Sequence, residues 1–268
     1  MKNNKGLYLY CIRGKADSKF STKGIDGQGE VFIFPYQDLE AVVSEVPLEE
    51  FDSEEIQQKA QEDLNWIKEK AQIHEHIIEQ AMRKDNNGVI SVIPMKFGTI
   101  FKTKEKLLES LKKHSQQFRE SLEKLEGKQE WGMKVYLREG TFNKYIEEKS
   151  ETIQQEKKKL ESMPAGMAFF AQKKMGDILS KAKEEELEKI TQDMFESLKN
   201  LAELSNKAKN LEKEMTGRPE SMVLNAYFLV KTEQVSEFEK DIGDLEEKYK
   251  PFGFEITYVG PWPPYHFM

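Results

Sequence analysis

Short apolar runs open the chain. Leu7 to Ile12, Val31 to Pro35 and Leu39 to Val43 are aliphatic, aromatic or β-branched, with Gly24 to Gly29 and Pro35 to Asp38 between them, and runs of this length between turn residues predict strands of one sheet. From Asp52 the period changes. Ile56, Ala60, Leu64, Ile67, Ala71, His74, Ile78 and Ala81 recur at steps of three and four, the spacing of one helix face. Asp52 and Glu55 stand as a capping box at its start, and Asn86, Asn87 and Gly88 mark its end. Val89 to Pro94 is apolar apart from Ser91, and a run without alternation predicts a strand buried on both faces, hence a central one. Phe97 to Phe101 continues it into a loop. Thr103 is placed to cap a second helix, with Leu107, Leu111, Phe118, Leu122 and Leu125 inward and Gly127 after its end. Helices on one face of a mainly antiparallel sheet account for these elements without a third layer.

The second half opens with a strand, Trp131 to Leu137. Thr141 then caps a helical region that reaches Met215. It breaks at Ser162-Met163-Pro164-Ala165-Gly166, because proline lacks the helical N–H and clashes with the turn before it. Beyond the break, Leu187, Ile190, Met194, Leu198, Leu201, Ser205, Ala208, Leu211 and Met215 follow a stripe close to a heptad, which predicts packing against a neighbouring helix. Gly217 and Pro219 end the region. Met222 to Val230 reads as a strand, Val235 to Tyr249 as a helix and Phe254 to Val259 as a last strand. The predicted fold class is α+β in two domains, 1–127 and 128–268, each a ferredoxin-like, mainly antiparallel sheet with packed helices. Long kinked and coiled helices over about 141–216 expand the second domain, which also carries a docked apolar C-terminal tail.

That tail, Gly260-Pro261-Trp262-Pro263-Pro264-Tyr265-His266-Phe267-Met268, is apolar where a chain end is normally polar and loose. Its prolines restrict the unbound chain, and Trp262, Tyr265 and Phe267 offer large areas to bury. The tail is expected in a groove, either its own chain's, the expected case, or a partner's. Met163, Met167, Phe169, Phe170 and Met175, beside the Pro164 break, form either ordinary core or an adaptable apolar surface for a partner helix. Candidate partner-binding residues are therefore Met163, Met167, Phe169, Phe170, Trp262, Tyr265 and Phe267.

Charge narrows the partners. The chain has 41 basic and 48 acidic residues, net −7, interspersed along its length, so the basic patch that nucleic acid or an anionic membrane requires is missing. No run is as long as a membrane span, and Met1 to Gly6 lacks the apolar stretch of a signal peptide; a cytoplasmic protein is expected. Cys11 is the single cysteine, which excludes an intrachain disulfide and a cysteine-based zinc site, and its place in a strand predicts a buried thiol.

Three motifs invite chemistry and do not sustain it. Gly24-Ile25-Asp26-Gly27-Gln28-Gly29 lacks a following Lys-Ser/Thr and leads into a strand, so it reads as a turn and not as a phosphate loop. His74 and His76 are two apart on a helix and point to different faces; His74 reads as a core histidine and His76 as a solvated one. His114 and His266 have no neighbours of a catalytic kind. No catalytic, cofactor-binding or metal-binding residue is assigned.

A set of motifs nevertheless spans the chain: Gly6-Leu7-Tyr8-Leu9-Tyr10, Gly24-Ile25-Asp26-Gly27, Asp38-Leu39-Glu40-Ala41-Val42-Val43-Ser44, Asp63-Leu64-Asn65-Trp66 and His74-Glu75. Ile93-Pro94-Met95-Lys96-Phe97-Gly98-Thr99-Ile100-Phe101, Glu130-Trp131-Gly132-Met133-Lys134-Val135-Tyr136, Gly166 with Phe169 and Phe170, and the Gly260 to Phe267 ending follow in order. Together they resemble the gas vesicle protein F/L family. The resemblance implies a two-domain accessory protein of gas vesicle assembly, not an enzyme and without a cofactor. It would be a minor component of the gas-filled shell or a helper in building it, binding the hydrophobic shell protein and other accessory proteins. A shell subunit with a large apolar surface aggregates unless that surface is covered, and a soluble, charged binder with apolar grooves would limit this. The stretch near Pro164 departs from the family pattern, in which tyrosine is usual at or beside the Phe169 and Phe170 positions. The alternative function is a ferredoxin-like small-ligand-binding regulator, or an enzyme with its site between the two domains, and it calls for convergent polar groups in a pocket.

Overall fold

The computed structural model describes residues 4–17, 20–51, 56, 59, 62–84, 88–161 and 165–268. The chain divides into two compact units, one of Met1–Glu130 with Pro261–Met268 and the other of Trp131–Gly260. The tail, expected as part of the second domain, is therefore grouped with the first unit.

Along the first unit run β1 (Lys5–Gly14), β2 (Val31–Tyr36), β3 (Leu39–Pro47), α1 (Leu48–Phe51) and α2 (Leu64–Met82). A short ribbon of β4 (Arg83–Lys84) and β5 (Gly88–Val89) leads to β6 (Val92–Pro94), β7 (Ile100–Phe101) and α3 (Lys104–Leu125). The sheet order is β2-β3-β1-β6, with β7 also on β1, and every pair is antiparallel. Helices cover both faces. Leu7, Leu9 and Ile12 of β1 pack with Leu107 and Leu111 of α3, whereas Tyr8, Tyr10 and Cys11 pack with Ile77, Ile78 and Ala81 of α2. The change from odd to even positions comes from a bulge: Leu9 faces Val43 and Cys11 faces Val42, so Tyr10 is an extra residue on β1.

This arrangement corrects three expectations. The sheet has a helix on each side, not helices on one face. Val89 to Pro94 is not a central strand: Val89 belongs to the ribbon, and Val92–Pro94 pairs β1 at the end of the sheet path. Its run lacks alternation because Val92 meets the α2 layer and Ile93 the α3 layer; burial of both faces says nothing about the number of strand neighbours. The long helix from Asp52 is interrupted, since Asp63 caps α2 by accepting from the Asn65 and Trp66 amides at 3.0 Å each. The restart leaves Leu64, placed on the inner stripe by its spacing, 75% exposed. The Asp52 and Glu55 capping box lies outside the described residues. Thr103 does cap α3, accepting from the Lys106 amide.

The second unit comprises most of β8 (Lys128–Leu137), then α4 (Glu139–Lys149), α5 (Glu151–Glu161), α6 (Ala165–Lys199), β9 (Leu204–Lys207), α7 (Lys213–Thr216), β10 (Ser221–Lys231), α8 (Val235–Tyr249) and β11 (Phe254–Trp262). Its sheet order is β11-β8-β10-β9. Alternate residues of β8 (Trp131, Met133, Val135, Leu137) and of β10 (Leu224, Ala226, Phe228, Val230) share one core. Phe142 and Ile146 of α4, Ile190, Met194 and Leu198 of α6, and Phe238 and Ile242 of α8 complete it. The alternation is only partial, because Tyr136 of β8 and Asn225 and Leu229 of β10, at the intervening positions, are buried too. Two boundaries differ from expectation. The helix expected to reach Met215 ends at Lys199, and Leu204–Lys207 pairs antiparallel with β10, Ser205 opposite Phe228. Leu204 and Met215, both in the expected helical stretch, are 52% and 72% exposed. Thr141 lies inside α4, whose cap position is Arg138 without a side-chain cap bond. The Pro164 break lies outside the described residues, between α5 and α6.

Candidate functional site

The tail is seated on the first unit. Pro263 and Pro264 are buried, Trp262 and Phe267 half-buried, and Tyr265 and Met268 are 39% and 53% exposed. Proline at three of the first four positions from Pro261 holds this segment extended, and the Tyr265 amide turns back to the Pro263 carbonyl at 2.7 Å. Two carboxyls grip it. The Tyr265 hydroxyl donates to Glu75 Oε2 at 2.9 Å, while His266 donates its amide to Glu130 Oε2 at 3.0 Å and meets Glu130 Oε1 through Nδ1 at 2.6 Å. Glu130 is buried. Burial pushes its carboxyl above the usual carboxylate range, opposed by the hydrogen bonds from His266. Burial also raises Glu75, opposed by the Tyr265 bond and reinforced by the charges of Glu79 and Glu130. Glu75 Oε1 is buried and has no hydrogen-bond partner among the described residues.

Beside this seat lies a polar layer inside the α2 face. His74 Nε2 meets the Met95 carbonyl at 3.2 Å, and an acceptor there fixes the proton on Nε2. Nδ1 then accepts from the Tyr8 hydroxyl at 3.0 Å, and that hydroxyl in turn accepts from the Gly98 amide at 2.9 Å. Burial pushes the imidazole down to about 4. Gly98 sits at φ 81°, where a side chain is strained, and Thr99 closes the turn onto the Lys96 carbonyl. The segment 95–99 is thus the turn between β6 and β7, while Ile100 and Phe101, expected as part of the loop, form β7 itself. Tyr10 anchors the other glycine-bearing segment: its hydroxyl accepts from the Ile25 amide at 2.8 Å, and Asp26 accepts from the Gln28 and Gly29 amides. Cys11 is fully buried, and burial pushes its thiol up to about 12.

The sequence-derived candidates divide into two groups. Trp262, Tyr265 and Phe267 come together in the seated tail. Met163 lies outside the described residues, and Met167, Phe169 and Phe170 belong to the first turns of α6 with side chains outside them. Met175, further along α6, is half-buried against the second-unit core. The carboxyls that hold the tail, Glu75 and Glu130, were not among the candidates; both stand in quoted motifs, but nothing local marks them as tail partners. Among the described residues no group of three His, Cys, Asp or Glu side chains could hold a metal ion. No helix among them is long and apolar enough to cross a membrane.

The family model described as "Gas vesicle synthesis protein GvpL/GvpF" matches residues 6–268. Gas vesicle protein L of Streptomyces sp. (strain CB03234) is 23% identical to this chain, over 100% of this chain and 94% of the relative. Gas vesicle protein F1 of Halobacterium salinarum is 24% identical over 98% and 93%. The crystal structure of the gas vesicle protein GvpF from Anabaena sp. PCC7120 is similar with a TM-score of 0.74 at 23% identity, covering 98% of both chains. That of GvpF from Microcystis aeruginosa gives 0.66 at 19% identity. The two structures share this chain's mixed α/β fold, with its antiparallel sheets and packed helices.

Proposed function

This chain belongs to the gas vesicle synthesis protein GvpL/GvpF family, and on that premise we propose that it is an accessory protein of gas vesicle formation. In this reading it binds the hydrophobic shell protein and other accessory proteins, limits aggregation of the shell protein before assembly, and associates with the vesicle. The match over residues 6–268 carries the proposal. Two further observations support it. Acidic and basic residues are interspersed along the whole chain, which suits a carrier that must stay dispersed while holding an apolar client. The seated tail leaves Tyr265 and Met268 partly exposed, an aromatic and a flexible thioether of the kind that adapts to a partner helix. The partner-binding residues we propose are Met163, Met167, Phe169 and Phe170 in the second unit and, as a separate set, the tail residues Trp262, Tyr265 and Phe267.

We also read the two compact units as two domains and the second as ferredoxin-like. The succession strand, helices, two strands, helix, strand, with sheet order β11-β8-β10-β9, supports the latter. Light scattering of purified shell protein diluted from denaturant, with and without an equimolar amount of this chain, tests the function. Suppressed scattering is the expected result; unchanged scattering, together with absence of a complex on gel filtration, would sink the proposal.

A further inference from the structure

We propose that the free edge of β11 pairs with the same edge of a second copy of this chain, antiparallel and about a two-fold axis, to give a weak dimer. The proposal is independent of the assembly reading. β11 ends the second sheet in the order β11-β8-β10-β9, and among the described residues no strand pairs its other side. A strand in that position presents a row of main-chain N–H and C=O groups, which an extended segment matches group for group. Tyr258 and Val259 are neighbours and point to opposite faces, yet they are 39% and 55% exposed. Both faces are therefore open at this edge, and a strand added there would cover the two side chains as well as the backbone.

The other sheet edges carry devices that prevent such pairing. β2 has the exposed Pro35, β6 and β7 are three and two residues long with Pro94 in the former, and β9 has four residues ending in the exposed Lys207. β11 has nine residues, no lysine, and its proline only at position 261. From Phe254 to Gly260 its one charged residue is Glu255, already held by Arg138 at 3.1 Å and by Arg218. A second copy is the occupant this favours. In an antiparallel pair centred on Tyr258, Val259 of each copy falls opposite Thr257 of the other on one face, and Ile256 falls opposite Gly260 on the other face. The two Glu255 side chains then stand at opposite ends of the ladder, roughly 20 Å apart, beyond the screening length of about 8 Å at physiological ionic strength. Self-pairing thus brings apolar and neutral residues together without opposing like charges. Strand pairing alone is a small interface against the roughly 1,200–2,000 Å² of stable complexes, so the dimer forms at high concentration and dissociates on dilution.

Sedimentation velocity of the purified chain from about 1 μM to about 1 mM should show a mass that rises from 31.3 kDa toward twice that value. Val259→Lys, at an exposed position and shown folded by circular dichroism, should raise the dissociation constant at least about fivefold by setting two lysines diagonally across the ladder. Cysteine linking locates the interface. Residues that face each other in an antiparallel pair have Cα atoms about 4.5–5.5 Å apart, within disulfide reach. Mild oxidation should therefore link Tyr258→Cys, or Thr257→Cys if the axis lies one residue earlier, and leave unlinked Leu204→Cys, which is exposed on the sheet's opposite edge strand. The native Cys11 is buried and does not interfere. A parent chain that stays monomeric throughout would overturn the self-pairing and leave the edge to a strand of another protein. So would a folded Val259→Lys variant that associates as readily as the parent, or linking of Leu204→Cys alone.

Discussion

Replacing Gly260 by alanine tests how the tail leaves the last strand. A Cβ at this position would lie 2.5 Å from Trp131 Cδ2, 2.7 Å from Cε3 and 2.9 Å from Cγ. Carbon atoms settle at about 3.5–4.0 Å, so the methyl overlaps three ring atoms by up to roughly 1 Å. The indole has little room to yield: Trp131 is 7% exposed, with the Phe238 ring at 6.4 Å and the Tyr258 ring at 6.0 Å. Overpacking of this kind costs about 1–3 kcal/mol, which for a unit of this size is a fall in melting temperature of roughly 3–10 °C. Gly243→Ala supplies the opposite control. Gly243 is exposed within α8, with no atom near its missing Cβ, so alanine should stabilise by about 0.5–1 kcal/mol through helix propensity alone. Thermal unfolding followed by circular dichroism measures both. A Gly260→Ala melting temperature equal to that of the parent, or shifted in the same direction as Gly243→Ala, would refute the close approach as the reason for glycine.

Other consequences concern the first unit. Tyr8→Phe removes the hydroxyl that joins the Gly98 amide to His74 and should cost about 1–3 kcal/mol in urea denaturation; a loss within measurement error would show that the network does not contribute. His74 has its value pushed down from 6.5 to about 4 by burial, so its contribution is complete above the unfolded value and is lost as pH falls through the folded one. Global stability should therefore decline between those two values by up to roughly 3 kcal/mol, and His74→Asn should flatten the decline; an identical slope in the variant would contradict this. The buried Cys11 thiol should resist a thiol-reactive disulfide at pH 8 and react fully in guanidinium. Rapid labelling of the native chain is the contrary result.

The sequence pattern makes some of this architecture legible and leaves other parts hidden. Helix α8 has the bounds its spacing suggests, Val235 and Tyr249, because Phe238, Ile242, Leu245 and Tyr249 form an uninterrupted buried stripe. β9 could not be read in the same way. Ser205 and Ala208 continue the helical spacing of α6, and the pairing of Ser205 with Phe228 that overrides it is a distant interaction. The two-sided cover of the first sheet did leave a trace, since Leu7 to Ile12 has no polar alternation, the same pattern that Val89–Pro94 shows apart from Ser91. The tail was recognisable as a segment that must dock, from its prolines and rings. Its partners were not, because Glu75 is 190 residues from Tyr265 and Glu130 is 136 from His266, and an isolated glutamate on a helix or strand looks like any solvated one.

On the function proposed above, this family member covers apolar surface of the shell protein. Apolar contact loses little when salt is added, whereas an interface held by exposed charges weakens as the screening length falls to about 3 Å at 1 M. Capture of purified shell protein by the immobilised chain at low and at 1 M salt, repeated with Phe169→Asp and Phe170→Asp variants shown to be folded, is therefore the most direct measurement. Capture that survives high salt and is lost in the aspartate variants is the expected result. Capture that disappears in high salt, or that both folded variants retain in full, would contradict it.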